Sequence, residues 1–137
     1  MGFILNVEGT SLGVETIKTV SFAVDTPNDS NAKTTDMSVT ATITGKILTI
    51  LDDGTEGTVD LAKWSMITSE TADCYKSVTI KSTAAGQVVR EYSMPNAFVV
   101  GYNETYDDTE GVGTFKLVIR QKKDKIATTT VTGGYAG

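Results

Sequence analysis

Apolar and polar residues alternate with a period of two along much of this chain. The plainest run sets Met37, Val39, Ala41 and Ile43 on one face and Ser38, Thr40, Thr42 and Thr44 on the other. That period predicts a half-buried β-strand, with its apolar side on a core and its hydroxyl side half-wet, closed by Gly45. A second ordered stretch spans residues 91–125. Phe98, Val100 and Tyr102 share one face of its first strand; Phe115, Leu117 and Ile119 share one face of its second, with Lys116 and Arg120 turned away. Pro95 is expected to open the first of these strands rather than occupy its centre, because proline has no N–H to give a ladder. The connection 105–113 is longer than a two-residue hairpin loop and predicts an acidic tip.

The remaining segments supply the sheet that such a hairpin needs. Residues 3–7 read as a short strand, 11–13 as a turn, and 15–25 as a strand with Val20, Phe22 and Val24 on one face. Residues 26–35 are turn formers without an apolar anchor. A short apolar run over 47–51 leads to a turn at Asp52-Asp53-Gly54. One helix is predicted over 58–68, capped by Thr58 or Asp60, with Leu61, Ala62, Trp64 and Ile67 as its apolar stripe. A hairpin pairs 75–81 with 87–94 around 83–86, and 127–132 is a last β-prone run. About eight strands and one short helix make a mainly β domain over residues 1–137, a barrel or sandwich plugged by the helix.

Composition narrows the function. The chain has 137 residues, enough for one domain with its own core, and threonine is frequent while only 2 prolines occur. A net charge of −5 leaves no basic footprint for nucleic acid or an anionic membrane. The first residues lack a basic region and a continuous apolar run, so no secretory signal or membrane insertion is expected. Met1-Gly2 suggests myristoylation, but Asn6 stands where serine or threonine is needed. The expectation is a chain soluble in the cytoplasm on synthesis unless another machine exports it. A single cysteine, Cys74, allows no internal disulfide.

Candidate chemistry is sparse. There is no histidine, hence no common general base and no Ser-His-Asp or Cys-His pair. Cys74 adjoins Asp73, the wrong charge for activating a thiol. Gly111 and Gly113 lack the companions of a phosphate loop. The carboxylates Asp52, Asp53, Glu56 and Asp60, and those of Glu104, Asp107, Asp108 and Glu110, lack the spacing of a calcium loop and read as solvated turns. Trp64 reads as core rather than as a ligand platform. No cofactor, no metal and no enzymatic role are expected.

The order of segments resembles the haemolysin-coregulated (Hcp) family, inner-tube proteins of type VI secretion, and their tail-tube relatives in phages and other contractile injection systems. The likeness is carried by the strand 3–8, the strand and polar loop 18–35, the alternating strand 37–44, the helix near 61–67, the hairpin 75–94, and 96–102 leading through the acidic tip to 113–120. The ending Thr128-Thr129-Thr130-Val131-Thr132 departs from the aromatic ending usual in that family. The resemblance implies a subunit that joins copies of itself into rings of six, stacked into a hollow tube, with sheath, baseplate and spike proteins as partners. Ring-stacking contacts are then expected from Pro27, Asn28, Asp29, Ser30, Asn31 and Lys33 of the loop and from Asp107, Asp108 and Glu110 of the tip. The tip would meet Lys122, Lys123 and Lys125 of the next ring. Ser38, Thr40, Thr42 and Thr44 are the expected lumen-facing positions. The competing reading is a monomeric β-sandwich module that binds a ligand such as a carbohydrate, disfavoured by an aromatic content of 7%.

Overall fold

The computed structural model describes residues 1–26, 37–47, 56–67, 70–108, 113–122, 126 and 129–133. Its strands are β1 (Gly2–Val7), β2 (Thr10–Leu12), β3 (Ile17–Asp25), β4 (Ser38–Ile47), β5 (Lys76–Ala84), β6 (Gln87–Tyr106), β7 (Gly113–Gln121) and β8 (Thr130–Gly133). The helix α1 (Glu56–Ser65) lies between β4 and β5, followed by a 3-10 turn over Ala72–Cys74. All pairings are antiparallel, in the order β2-β1-β5-β6-β7-β4-β3, with β8 added to β6.

The sheet curls until β1 approaches β3, but it does not close into the expected barrel. The reason lies in β1, whose two edges are already taken by β2 and β5. β2 was itself expected as a turn. The reversal falls instead at Glu8-Gly9, where φ values of 42° and 92° make the two-residue loop of a tight hairpin. Asn6 Oδ1 accepts the Gly9 N–H there at 3.2 Å. Ala85-Gly86 turns β5 into β6 in the same way, with φ of 52° and 77°.

The alternation in β4 and β7 is realised residue by residue. Val39, Ala41, Ile43, Phe115, Leu117 and Ile119 are buried, joined by Leu5, Val7, Val78, Ile80 and Met94 from the other half of the sheet. The helix covers this apolar face with Leu61 and Trp64. It begins earlier than expected, so Thr58 and Asp60 lie inside it rather than at a cap, and it ends at Ser65, which leaves Ile67 beyond it. The Asp60 carboxylate accepts from Thr10 Oγ1 at 2.9 Å, fastening the helix to β2.

Two expectations about β6 are corrected. Pro95 lies within this 20-residue strand, not at its start. It occupies a gap in both ladders. β5 skips from Met94 to Ala97 there, and on the other edge β8 ends at Ser93 where β7 begins at Ala97. No N–H is needed at that position. Phe98 and Val100 also fail to share the core face with Tyr102. A bulge between Val99 and Gly101 resets the period, so Ala97, Val99 and Tyr102 meet the core while Val100 is 47% exposed.

Candidate assembly surfaces

The strands β3, β4, β7 and the outer half of β6 form a four-stranded patch with one face on the core. Its other face is set by register. Thr19, Thr44, Lys116 and Asn103 lie in one row across the strands; Ser21, Thr42, Val118 and Gly101 lie in the next, then Ala23, Thr40, Arg120 and Phe98. Ser38, Thr40, Thr42 and Thr44 are all half-buried here, on the face away from the core. The hydroxyls bond to one another, to the backbone and to an arginine: Thr19 with Thr44, Ser38 Oγ to the Asp25 carbonyl at 3.5 Å, and Thr40 Oγ1 accepting from Arg120 Nε at 3.4 Å. A polar face of this kind tolerates water without burying an unpaired charge.

Both margins of the patch are unpaired strand edges among the described residues. β3 has β4 on one side only, over nine residues. Beyond Ala97, β6 has β7 but no longer β5. Unpaired edges with exposed side chains such as Val24 template pairing with another chain.

The two ends of the patch carry different charge. At the tip end, Tyr102 and Tyr106 both donate their hydroxyls to the Glu104 carboxylate, at 2.5 Å and 2.9 Å, and Asp107 and Asp108 follow. At the other end of β7, Lys122 lies over the Tyr75 ring, 5.0 Å from its centroid, and Phe98 meets that ring edge-on. The nine residues of β7 separate these ends by about 30 Å. Thus the structure places Asp107 and Asp108 opposite Lys122. Pro27, Asn28, Asp29, Ser30, Asn31, Lys33, Glu110, Lys123 and Lys125 lie outside the described residues.

Burial, followed by the bond to Glu104, pushes the Tyr102 phenol above its ordinary value. The folded state therefore keeps this proton longer than the unfolded chain does. The resulting stability is complete below the ordinary tyrosine range near pH 10 and is lost as pH rises beyond it. Urea unfolding on either side of that range is expected to show a steeper alkaline loss in the parent than in Tyr102→Phe. Equal slopes would remove Tyr102 from the account.

Sequence reasoning missed two cations of the polar face. Lys46 is the next outward residue of β4 once the strand is continued through Gly45, and the alternation could have found it. Lys18 is a bulge residue between Ile17 and Thr19, which periodicity cannot locate. Trp64 is 2% exposed and its Nε1–H donates to the Cys74 carbonyl at 2.8 Å, so it is a core residue. Cys74 is buried as well. Among the described residues no group of three or more acidic or cysteine side chains is arranged to hold a metal, and no helix is long and apolar enough to cross a membrane.

This arrangement is an Hcp-like tail-tube fold. The chain is similar to Hcp1 from Flavobacterium johnsoniae, with a TM-score of 0.59 and 16% identity over 98% of this chain and 97% of that one. It is also similar to the tube-terminating cap of the anti-feeding prophage (TM-score 0.57, 12% identity, 96% and 88% of the two chains). A third likeness is to the sheath/tube terminator of PVC, an extracellular contractile injection system (TM-score 0.56, 13% identity, 96% and 94%). No protein-family profile matches the sequence, and no curated protein does.

Proposed function

We propose that this chain is a structural subunit that joins copies of itself into rings, six per ring by the family resemblance, and that the rings stack into the inner tube of a contractile injection apparatus. The observation that carries this reading is the four-stranded patch with an unpaired edge on each margin. The β3 edge of one subunit pairs with the outer β6 edge of the next, so each subunit contributes four strands to a continuous barrel. This is a heterologous contact that closes on itself, and closure leaves no edge exposed. Ser38, Thr40, Thr42 and Thr44 then line the lumen. Sheath, baseplate and spike proteins of the same apparatus are its partners, and the tube subunit has no catalytic role.

Stacking follows from the opposed ends. Asp107, Asp108 and Glu110 of one ring meet Lys122, Lys123 and Lys125 of the next, with Pro27, Asn28, Asp29, Ser30, Asn31 and Lys33 as further contacts. The charges are complementary and the contact is head-to-tail.

Light scattering on the purified protein, with negative-stain imaging of the same peak, tests the assembly. Rings or tubes are the expected result; a monomer of 14.6 kDa at every concentration would sink the tube reading in favour of a monomeric binding module. The charge-reversed pair Lys122→Glu with Lys123→Glu is expected to leave rings intact but shorten tubes at low salt. Unchanged tube lengths would refute the stacking contact alone.

A further inference from the structure

The polar face is not uniformly neutral. Its described charged residues are Lys18, Lys46, Lys116 and Arg120 against the single carboxylate of Asp25, in a chain whose net charge is −5. Asp25 pairs with Ser38, roughly 25 Å along β4 from Lys46. The Lys46 end is also the tip end, because Lys46 pairs with Thr114 and Thr114 with Thr105. There the strands frame a cleft of about 390 Å³, lined by Lys18, Lys46 and Lys116 together with Thr44, Asn103, Thr105 and Thr114. Asp107 and Asp108 follow Thr105 in the chain but do not line it. The three lysines are exposed, and among the described residues none forms an ion pair with a carboxylate.

We propose that this cleft is a binding site for an acidic polypeptide segment. Three ammonium groups around one cleft repel each other, and a run of carboxylates relieves that repulsion while accepting hydrogen bonds from the lysines, the threonine hydroxyls and the Asn103 amide. The overall negative charge disfavours a long polyanion such as nucleic acid, whose approach it would oppose. Single-stranded nucleic acid also needs aromatic platforms for its bases, and the one ring lining the cleft, Phe115, is 2% exposed. Short acidic segments need only the local field. The site belongs to a single subunit, so its test stands apart from that of assembly. In a tube built as proposed, each subunit would present it to the lumen.

The test is fluorescence anisotropy with a short labelled poly-glutamate peptide, with poly-lysine and oligothymidylate of equal length as controls. Saturable binding of poly-glutamate at low salt, weakening as salt is added, is expected. The double variant Lys46→Glu with Lys116→Glu should lower that affinity by roughly tenfold or more, and Lys18→Glu alone by less, whereas Lys63→Glu on α1, across the sheet, should leave it unchanged. Because all three lysines are exposed, the variants should retain the parent's circular dichroism and melting temperature. The proposal is overturned if poly-glutamate does not bind or if the double variant binds it as well as the parent. It is also overturned if oligothymidylate binds more tightly through the same lysines.

Discussion

Trp64→Ala is expected to destabilise the fold by about 3–5 kcal/mol, the usual cost of truncating a buried aromatic residue. Trp64 is among the largest fully buried side chains, and it stands where α1 is laid across the apolar face of the sheet. Its removal empties the layer between helix and strands. It also leaves the Cys74 carbonyl without the indole N–H that reaches it at 2.8 Å. Trp64→Phe separates the two losses. It keeps most of the ring volume and forfeits the hydrogen bond, for an expected cost of about 1–3 kcal/mol. Urea unfolding followed by far-UV circular dichroism measures both, since the variants lack the tryptophan that fluorescence would report. If Trp64→Ala cost less than Trp64→Phe, the helix would not depend on this side chain for its attachment. The polar cleft lies on the opposite face of the sheet, so folded Trp64→Phe should bind poly-glutamate like the parent.

How far the sequence carries the reader can be judged strand by strand. β4 and β7 are legible because each is half-buried along its whole length, so a period of two survives from end to end. The helix is legible because Leu61 and Trp64 fall three residues apart on one stripe, although Ile67, expected on the same stripe, lies past the helix end at Ser65. β2 is not legible, since three residues carry no period; its only trace is the turn at Glu8-Gly9. The faces of Phe98 and Val100 are misread because one bulge residue inverts everything before it. Pro95 is misread for a tertiary reason. Whether a strand can hold a proline depends on whether a neighbour needs its N–H, and here the two partners on that edge part at that point. The assembly surfaces divide in the same way. The hydroxyl face was visible as a pattern, but the strand order that leaves β3 and the outer half of β6 unpaired is set by pairings between segments far apart in sequence. Lys18, Lys46 and Lys116 come from three different strands, and only the register brings them to one cleft.

Gly45 is where this register is most sharply constrained, and its replacement carries the second large expected effect. In sequence it looks like the end of a strand, yet β4 continues through it to Ile47, pairing Gly45 with Ile17 on one side and Phe115 on the other. A Cβ at this position would lie 2.3 Å from the Thr16 carbonyl oxygen and 2.7 Å from the Phe115 ring. Neither neighbour can give way cheaply. The Thr16 carbonyl accepts the Lys46 N–H at 2.8 Å, and Phe115 is locked in the core. Gly45→Ala is therefore expected to cost about 1–3 kcal/mol, and Gly45→Val more. Gly101→Ala is the control: it adds the same carbon to a strand where nothing lies within 4 Å, and a change within about 0.5 kcal/mol is expected. The relief available to Gly45→Ala is to push the start of β3 away from β4, which carries Lys18 out of line with Lys46. Weaker poly-glutamate binding by the variant under conditions where it remains folded would show that the glycine sets the cleft as well as the core. Full stability in Gly45→Ala would instead mean that β3 and β4 are held less closely at this end than the register implies.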